Sequence, residues 1–375
     1  MKLKPNILFI TLLLGFLLCR NGNGQIDTDK DLWIDPRCTM LPAETTWPMV
    51  VLSDGNLLKI SGDSTFISED NGKTWPAPRT IFTKGETVKI GEAQILKTYD
   101  GTLILVFMDL SDLKWEWDIK KNEPGPDNHL SVWAVRSQDK GKTWVELQKI
   151  FDGYCGSLRT IIQTSTGNIV IPVQRLMYNH GRHATVTYVS QDDGHTWNKG
   201  SNIIDIGGWG DHDGGYEATL TELKDGRLWM LIRTNLDQFW SAYSNDGGLY
   251  WRRIEPSGID ASSAPGYIKR LASGRLVLVW SRLNLANGRK FPRKSGKYSE
   301  VPASWQRKEL SIAFSEDDGK SWSKPVVFAK ILAGKWLSYP NIMERYPGEL
   351  WIWALQGGLR VSLHEADFVG TNKKR

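Results

Sequence analysis

Cysteine is scarce in this sequence, at 3 of 375 residues. Apart from Cys19 in the amino-terminal apolar stretch, only Cys38 and Cys155 remain, enough for one bridge in an oxidising compartment or for two buried thiols. An excess of one charge is also lacking. The formal charge is +5, and about +2 once Lys2, Lys4 and Arg20 are set aside. The one basic run is the terminal Lys373-Lys374-Arg375, so nucleic acid is not an expected partner. The apolar stretch Ile7–Leu18 is too short to cross a bilayer, which argues against stable membrane insertion. No zinc-ligand spacing, P-loop or dinucleotide fingerprint occurs, and the 6 histidines are scattered, so no metal or cofactor is expected. Linkers and low-complexity segments are missing too, and residues 25–375 read as one domain.

Met1–Gly24 has the form of a signal peptide. Lys2 and Lys4 make a basic start, Ile7–Leu18 an apolar core and Gly22-Asn23-Gly24 a small-residue cleavage region. The expectation is a secreted or periplasmic protein. Lipidation at Cys19 is disfavoured, because Leu18 is a poor match to the small residue such a site needs.

What the chain has in abundance is repetition. SEDNGKTW (Ser68–Trp75), SQDKGKTW (Ser137–Trp144), SQDDGHTW (Ser190–Trp197), SNDGGLYW (Ser244–Trp251) and SEDDGKSW (Ser315–Trp322) share the pattern Ser-x-Asp-x-Gly-x-x-Trp. Ser and Asp side chains satisfy the backbone of a tight loop, Gly supplies positive φ, and Trp packs beneath. Repetition at 53 to 71 residues means stacked supersecondary units. Interleaved with these boxes are six hairpin turns, at Gly55, Gly101, Gly167, Gly226, Gly274 and Gly348, each between two apolar β-rich runs. Hairpin turns alternating with boxes give four strands per unit, and four-stranded antiparallel units arranged radially make an all-β propeller of six blades. The sixth unit lacks a box, and Leu32–Leu41 is expected to supply its outer strand and close the ring.

This alternation assigns faces. Hairpin turns and boxes mark one face. The connections from second to third strands mark the other, and two of these are long, Met108–Leu130 and Ser281–Lys308. Long loops on a rigid scaffold are where binding usually sits. Equivalent positions then converge on the axis at that face: Glu92, Glu217 and Tyr339 at the starts of inner strands, Asp63, Asp109, Arg175 and Arg233 at the ends of second strands, and Arg182 and Arg307 at the starts of third strands. Trp115 and Trp117 lie in the first long loop, where flat rings suit a sugar face. His212 and Asp213 are placed to line the same pocket. Taken singly, each of these residues is an ordinary structural group. Their convergence on one face makes them a candidate site, and an aromatic-rich secreted propeller points to carbohydrate or protein as partner.

The boxes, the segment from Gly215-Tyr216-Glu217 to Leu231-Ile232-Arg233, the run Arg307-Lys308-Glu309-Leu310-Ser311 and, more loosely, Ser338-Tyr339-Pro340-Asn341 resemble the sialidase (neuraminidase) superfamily over nearly all of residues 25–375. The resemblance implies a glycosidase removing a terminal acidic sugar. Tyr339 would be the nucleophile, Glu217 its base, Arg233 and Arg307 a carboxylate clamp, and Asp63 or Asp109 the acid. Sialidases are the known tyrosine exception among retaining glycosidases. One departure is plain. Where sialidases carry an arginine in an Arg-Ile-Pro segment, this chain has Thr45-Thr46-Trp47-Pro48, leaving Arg175, Arg182 or Arg37 as candidates to replace it. The departure keeps open a glycosidase or lyase acting on a uronate- or rhamnose-containing glycan, and a non-catalytic glycan-binding propeller. The sequence carries no signal of oligomeric state.

Overall fold

The computed structural model describes residues 31–369 apart from 83–87, 296–298, 300 and 333. The expected signal peptide Met1–Gly24, with Cys19, lies outside the described residues. Six four-stranded antiparallel sheets follow in chain order around a ring, each numbered from its innermost strand outward. In blade four these strands are Tyr216–Glu222, Leu228–Arg233, Gln238–Ser244 and Arg252–Asp260. In blade six they are Ser338–Tyr346, Glu349–Gln356, Arg360–His364 and Thr39–Met40. The amino-terminal segment therefore does close the ring, through Thr39 opposite Ser362. It also does something more: Leu32–Ile34 adds a fifth strand to the outside of blade five, against Ala329–Ile331.

Why the sheets stack is visible in the alternation of side chains. In the second strand of blade two, Leu103–Asp109, residues Leu103, Leu105 and Phe107 pack with blade one. Ile104, Val106 and Met108, pointing the other way, pack with blade three. Every strand buried on both faces reads as a continuous apolar run for this reason. Six such clusters occupy the six blade–blade interfaces, the last pairing Met49 and Leu57 with Met343, Trp351 and Trp353 across the closure. Each fully buried Leu, Ile or Phe contributes roughly 1.5–3 kcal/mol. Cys38 and Cys155 stand in different clusters as separate buried thiols, so the bridge is not formed.

The boxes are structural. In the first, Asp70 accepts from Thr74 N at 2.8 Å and Thr74 Oγ1 at 2.6 Å, while Ser68 Oγ accepts from Gly72 N at 2.8 Å. The same loop recurs in the other four. Its glycine is required by two constraints at once. Gly319 has φ +81°, and a Cβ there would lie 2.3 Å from the ring of Trp229 in the preceding blade. Both long connections lie on the face opposite the boxes, each with a small ribbon, Trp117–Asp118 with Glu123–Pro124 and Arg293–Ser295 with Pro302–Ser304.

Candidate active site

The inner strands do not run regularly to the axis. In blade four the pairing slips between Tyr216 and Thr219, and Glu217 sits in this bulge with φ 50°. In blade six Tyr339 has φ 63°. Left-handed backbone at a bulky non-glycine residue costs on the order of 1–3 kcal/mol, and it persists where the surroundings over-determine it. Bulges beside a site re-aim a side chain. Here the bulge at Glu217 and the left-handed backbone at Tyr339 bring both side chains into one cleft.

Within it Tyr339 Oη donates to Glu217 Oε1 at 2.8 Å, and Arg233 Nη1 bonds both Glu217 Oε2 at 2.5 Å and Tyr339 Oη at 3.2 Å. Arg233 Nη2 reaches Ser263 Oγ at 3.1 Å. Arg307 donates to Gln356 Oε1 at 3.0 Å and to the Ser263 carbonyl at 2.9 Å, with its guanidinium 4.6 Å from the Trp336 ring. All four side chains are buried. The Nε of each arginine is buried and meets no acceptor among the described residues, so both guanidiniums keep donor capacity.

The electrostatics fix the proton. Burial pushes the Glu217 carboxyl up, but the Arg233 charge, the bonds from Arg233 and Tyr339 and the Arg307 charge outweigh it and hold it below the ordinary glutamate value. Burial and the Glu217 charge push the Tyr339 hydroxyl up to about 12 against the pull of Arg233 and Arg307. At neutral pH the pair is therefore a phenol donating to a carboxylate.

The remaining expected residues separate cleanly. Trp115 lines the cleft with the four residues above, packed on Tyr154 at 4.6 Å. Trp117 does not; it is buried behind Trp115 with its Nε1 on Asn122 at 3.0 Å. Asp63 accepts from Ile90 N at 3.0 Å, and Asp109 from Lys89 N at 2.8 Å and Ser111 N at 2.9 Å. Both aspartates tie loops together outside the cleft lining. Arg182 is paired with Asp205, and Arg37 with Asp35. Arg175 lies outside the lining as well. None of the three takes the place of the absent arginine. Asp213 serves Asn235, Ser299 and Trp209 N.

Glu92 occupies a bulge like that of Glu217, between Ile90 and Ala93, but its carboxylate is held by Arg159 at 2.9 Å. Arg159 was not expected. It donates to the Pro340 carbonyl at 2.7 Å and lies 5.2 Å from the Tyr339 ring, bracing the tyrosine from behind. Three buried guanidiniums thus surround Tyr339 against two buried carboxylates. The guanidiniums of Arg233 and Arg307 in the cleft lining suit an anionic group on a ligand.

Blade three explains what sequence spacing missed. Arg233 stands seven residues after its turn glycine, Gly226, and lines the cleft. Gln174 stands seven after Gly167 and lines it too; Arg175, one further on, does not. His183 lines the cleft where Arg182 was expected, held by Gln174 Nε2 at 2.8 Å and the Asp211 carbonyl at 2.9 Å. Burial drives its pKa down to about 4, so it is neutral. Asp211 and His212 complete the wall.

The BNR repeat-like domain model matches residues 64–352. The chain belongs to this family. None of the curated proteins matches it in sequence. Among solved structures, a Dyadobacter fermentans protein of unknown function is 16% identical, with 89% of this chain and 96% of that one covered and a TM-score of 0.55. A Hadza microbial sialidase is 15% identical over 86% of this chain and 65% of its own, with a TM-score of 0.57. A Penicillium chrysogenum α-L-arabinanase, solved with arabinobiose, is 14% identical over 90% and 99%, with a TM-score of 0.51. At these identities the likeness is one of fold, and this BNR-family chain shares the sialidase-type propeller with glycoside hydrolases.

Proposed function

We propose that this protein is a secreted retaining glycosidase that removes a terminal acidic sugar from a glycan. The observation that carries the reading is the 2.8 Å bond from Tyr339 Oη to Glu217 Oε1, with Arg233 bridging the two. A carboxylate nucleophile would be repelled by an anionic sugar, whereas a phenol is neutral until its base takes the proton. Glu217 is ionised and in reach to do so. As Tyr339 Oη bonds to the anomeric carbon its proton passes to Glu217, and Arg233 stabilises the charge that develops on both. The unused donors of Arg233 and Arg307 are suited to a carboxylate on the substrate.

With two arginines in the cleft rather than three, a uronate is a reasonable second substrate class beside sialic acid. The test is a screen of fluorogenic sialosides and uronides with purified protein, followed by Tyr339→Phe. Release of the acidic sugar, abolished by that substitution without loss of folding, supports the reading. Turnover that survives Tyr339→Phe overturns the assignment of the nucleophile. Glycan binding without turnover of any acidic glycoside overturns the enzyme itself. Unsaturated-uronate absorbance in place of hydrolysis would assign a lyase.

A further inference from the structure

Glycoside cleavage through Tyr339 requires a proton for the leaving oxygen, and both aspartates expected to give it are bound to backbone amides outside the cleft. Glu92 is held by Arg159, Glu217 is committed to Tyr339, and His183 has both ring nitrogens engaged. The wall facing this problem contains one further pair. His212 Nδ1 lies 2.7 Å from Asp211 Oδ1, and both residues line the cleft together with Tyr339 and Glu217. The Asp211 side chain is 1% exposed, and its Oδ2 is buried without a partner among the described residues.

The backbone of the pair is pinned. Tyr216 Oη donates to the His212 carbonyl at 3.2 Å, the Asp211 carbonyl meets His183 Nε2, and the turn closes by Asp213 N on the Gly210 carbonyl at 3.1 Å. Gly214, at φ +95°, lets this turn seat against blade three, since a Cβ there would lie 1.9 Å from the His183 carbonyl oxygen. The Trp305 ring meets the imidazole edge-on at 5.1 Å.

We propose that His212 is the proton donor to the leaving oxygen and that Asp211 is its positioning residue. This rests on the glycosidase reading above. With Nδ1 directed at Asp211, the ring exchanges its proton with substrate through Nε2. In the first half-reaction the bond from the anomeric carbon to the leaving oxygen breaks. The oxygen keeps the electron pair and takes the Nε2 proton, while Tyr339 Oη bonds to that carbon and its own proton goes to Glu217. In the second, water gives a proton to Nε2 and its oxygen to the anomeric carbon. Tyr339 Oη departs and recovers its proton from Glu217.

An acid is needed most where the leaving group is poor. The test compares kcat/KM on two glycosides of one acidic sugar, an aryl glycoside and an alkyl or oligosaccharide glycoside, for wild type, His212→Gln, Asp211→Asn and Tyr339→Phe, with melting temperatures for each. His212→Gln is expected to lose on the order of 10²–10⁴-fold on the alkyl substrate and far less on the aryl one. Asp211→Asn should show the same selectivity to a smaller degree. Tyr339→Phe should lose both alike. Equal losses on the two substrates in folded His212→Gln, or in Asp211→Asn if the former does not fold, would overturn the assignment while leaving the glycosidase standing. If wild type cleaves neither substrate, the glycosidase reading falls and takes this one with it.

Discussion

Replacing Tyr339 by Phe removes one oxygen, and its consequence for stability can be worked out as a function of pH. The folded hydroxyl is pushed up to about 12 by burial and by the Glu217 charge, whereas an unfolded tyrosine titrates near ~10. Below the unfolded value both states hold the proton, and the stabilisation from the neutral, hydrogen-bonded phenol is fully present. As pH rises from there towards the folded value, the unfolded chain releases its proton while the native one keeps it, so the unfolded state gains. At roughly 1.4 kcal/mol per pH unit, the stabilisation lost over this window is on the order of 3 kcal/mol. Tyr339→Phe has no such loss. Denaturant unfolding of both proteins at intervals from about pH 8 to 12 should show wild type ahead at the lower end by about 1.5–3 kcal/mol, the worth of a hydrogen bond to a charged group, and the lead should vanish towards the upper end. Tyr154 and Tyr267, also raised by burial, respond in both proteins and cancel in the difference. A difference that stays constant across the range would refute the enclosed Tyr339–Glu217 pair.

Three further outcomes follow from the same geometry. Glu217 is held below its ordinary value, so the stability from its ion pair is present above ~4.3 and is lost as pH falls from there through its folded value; Glu217→Gln should flatten the melting-temperature profile below about pH 4.3. Arg307→Lys keeps the charge but loses the planar fork, and should weaken inhibition by a free acidic monosaccharide by roughly 10- to 100-fold, from about 1.5–3 kcal/mol; unchanged inhibition would remove Arg307 from the clamp. Gly319→Ala puts a methyl against Trp229 at positive φ and should destabilise by roughly 2–4 kcal/mol, read by calorimetry, with kcat/KM at ambient temperature unchanged because the box lies on the opposite face.

The architecture was readable because its determinants are local and repeated. A Ser-x-Asp box closes on its own backbone within eight residues, as Asp70 does with Thr74, so its meaning does not depend on distant partners. The site was readable where spacing from a turn glycine carried unchanged from blade to blade, which delivered Glu217, Arg233 and Tyr339. It failed by one residue elsewhere. Strand side chains alternate, so an offset of one exchanges inward for outward. Gln174 and His183 point in where Arg175 and Arg182 were expected, and Asp63 and Asp109 turn away. Bulges such as those at Glu92 and Glu217 add to the difficulty, because a bulge leaves no residue signature when the re-aimed side chain is a glutamate.

A different limit hides Asp211. Together with His212 it lies between Lys199, the end of the outer strand of blade three, and Tyr216, where blade four begins. A connection between blades has no hairpin glycine from which to count. Position in the repeat therefore locates groups that the sheets carry to the axis, namely Tyr339, Glu217, Arg233 and Arg307, but not groups delivered over the rim. The first set is dictated by the ring and recurs with it. The second is set by loop length, which is where propellers sharing an axis come to differ in the chemistry at its mouth.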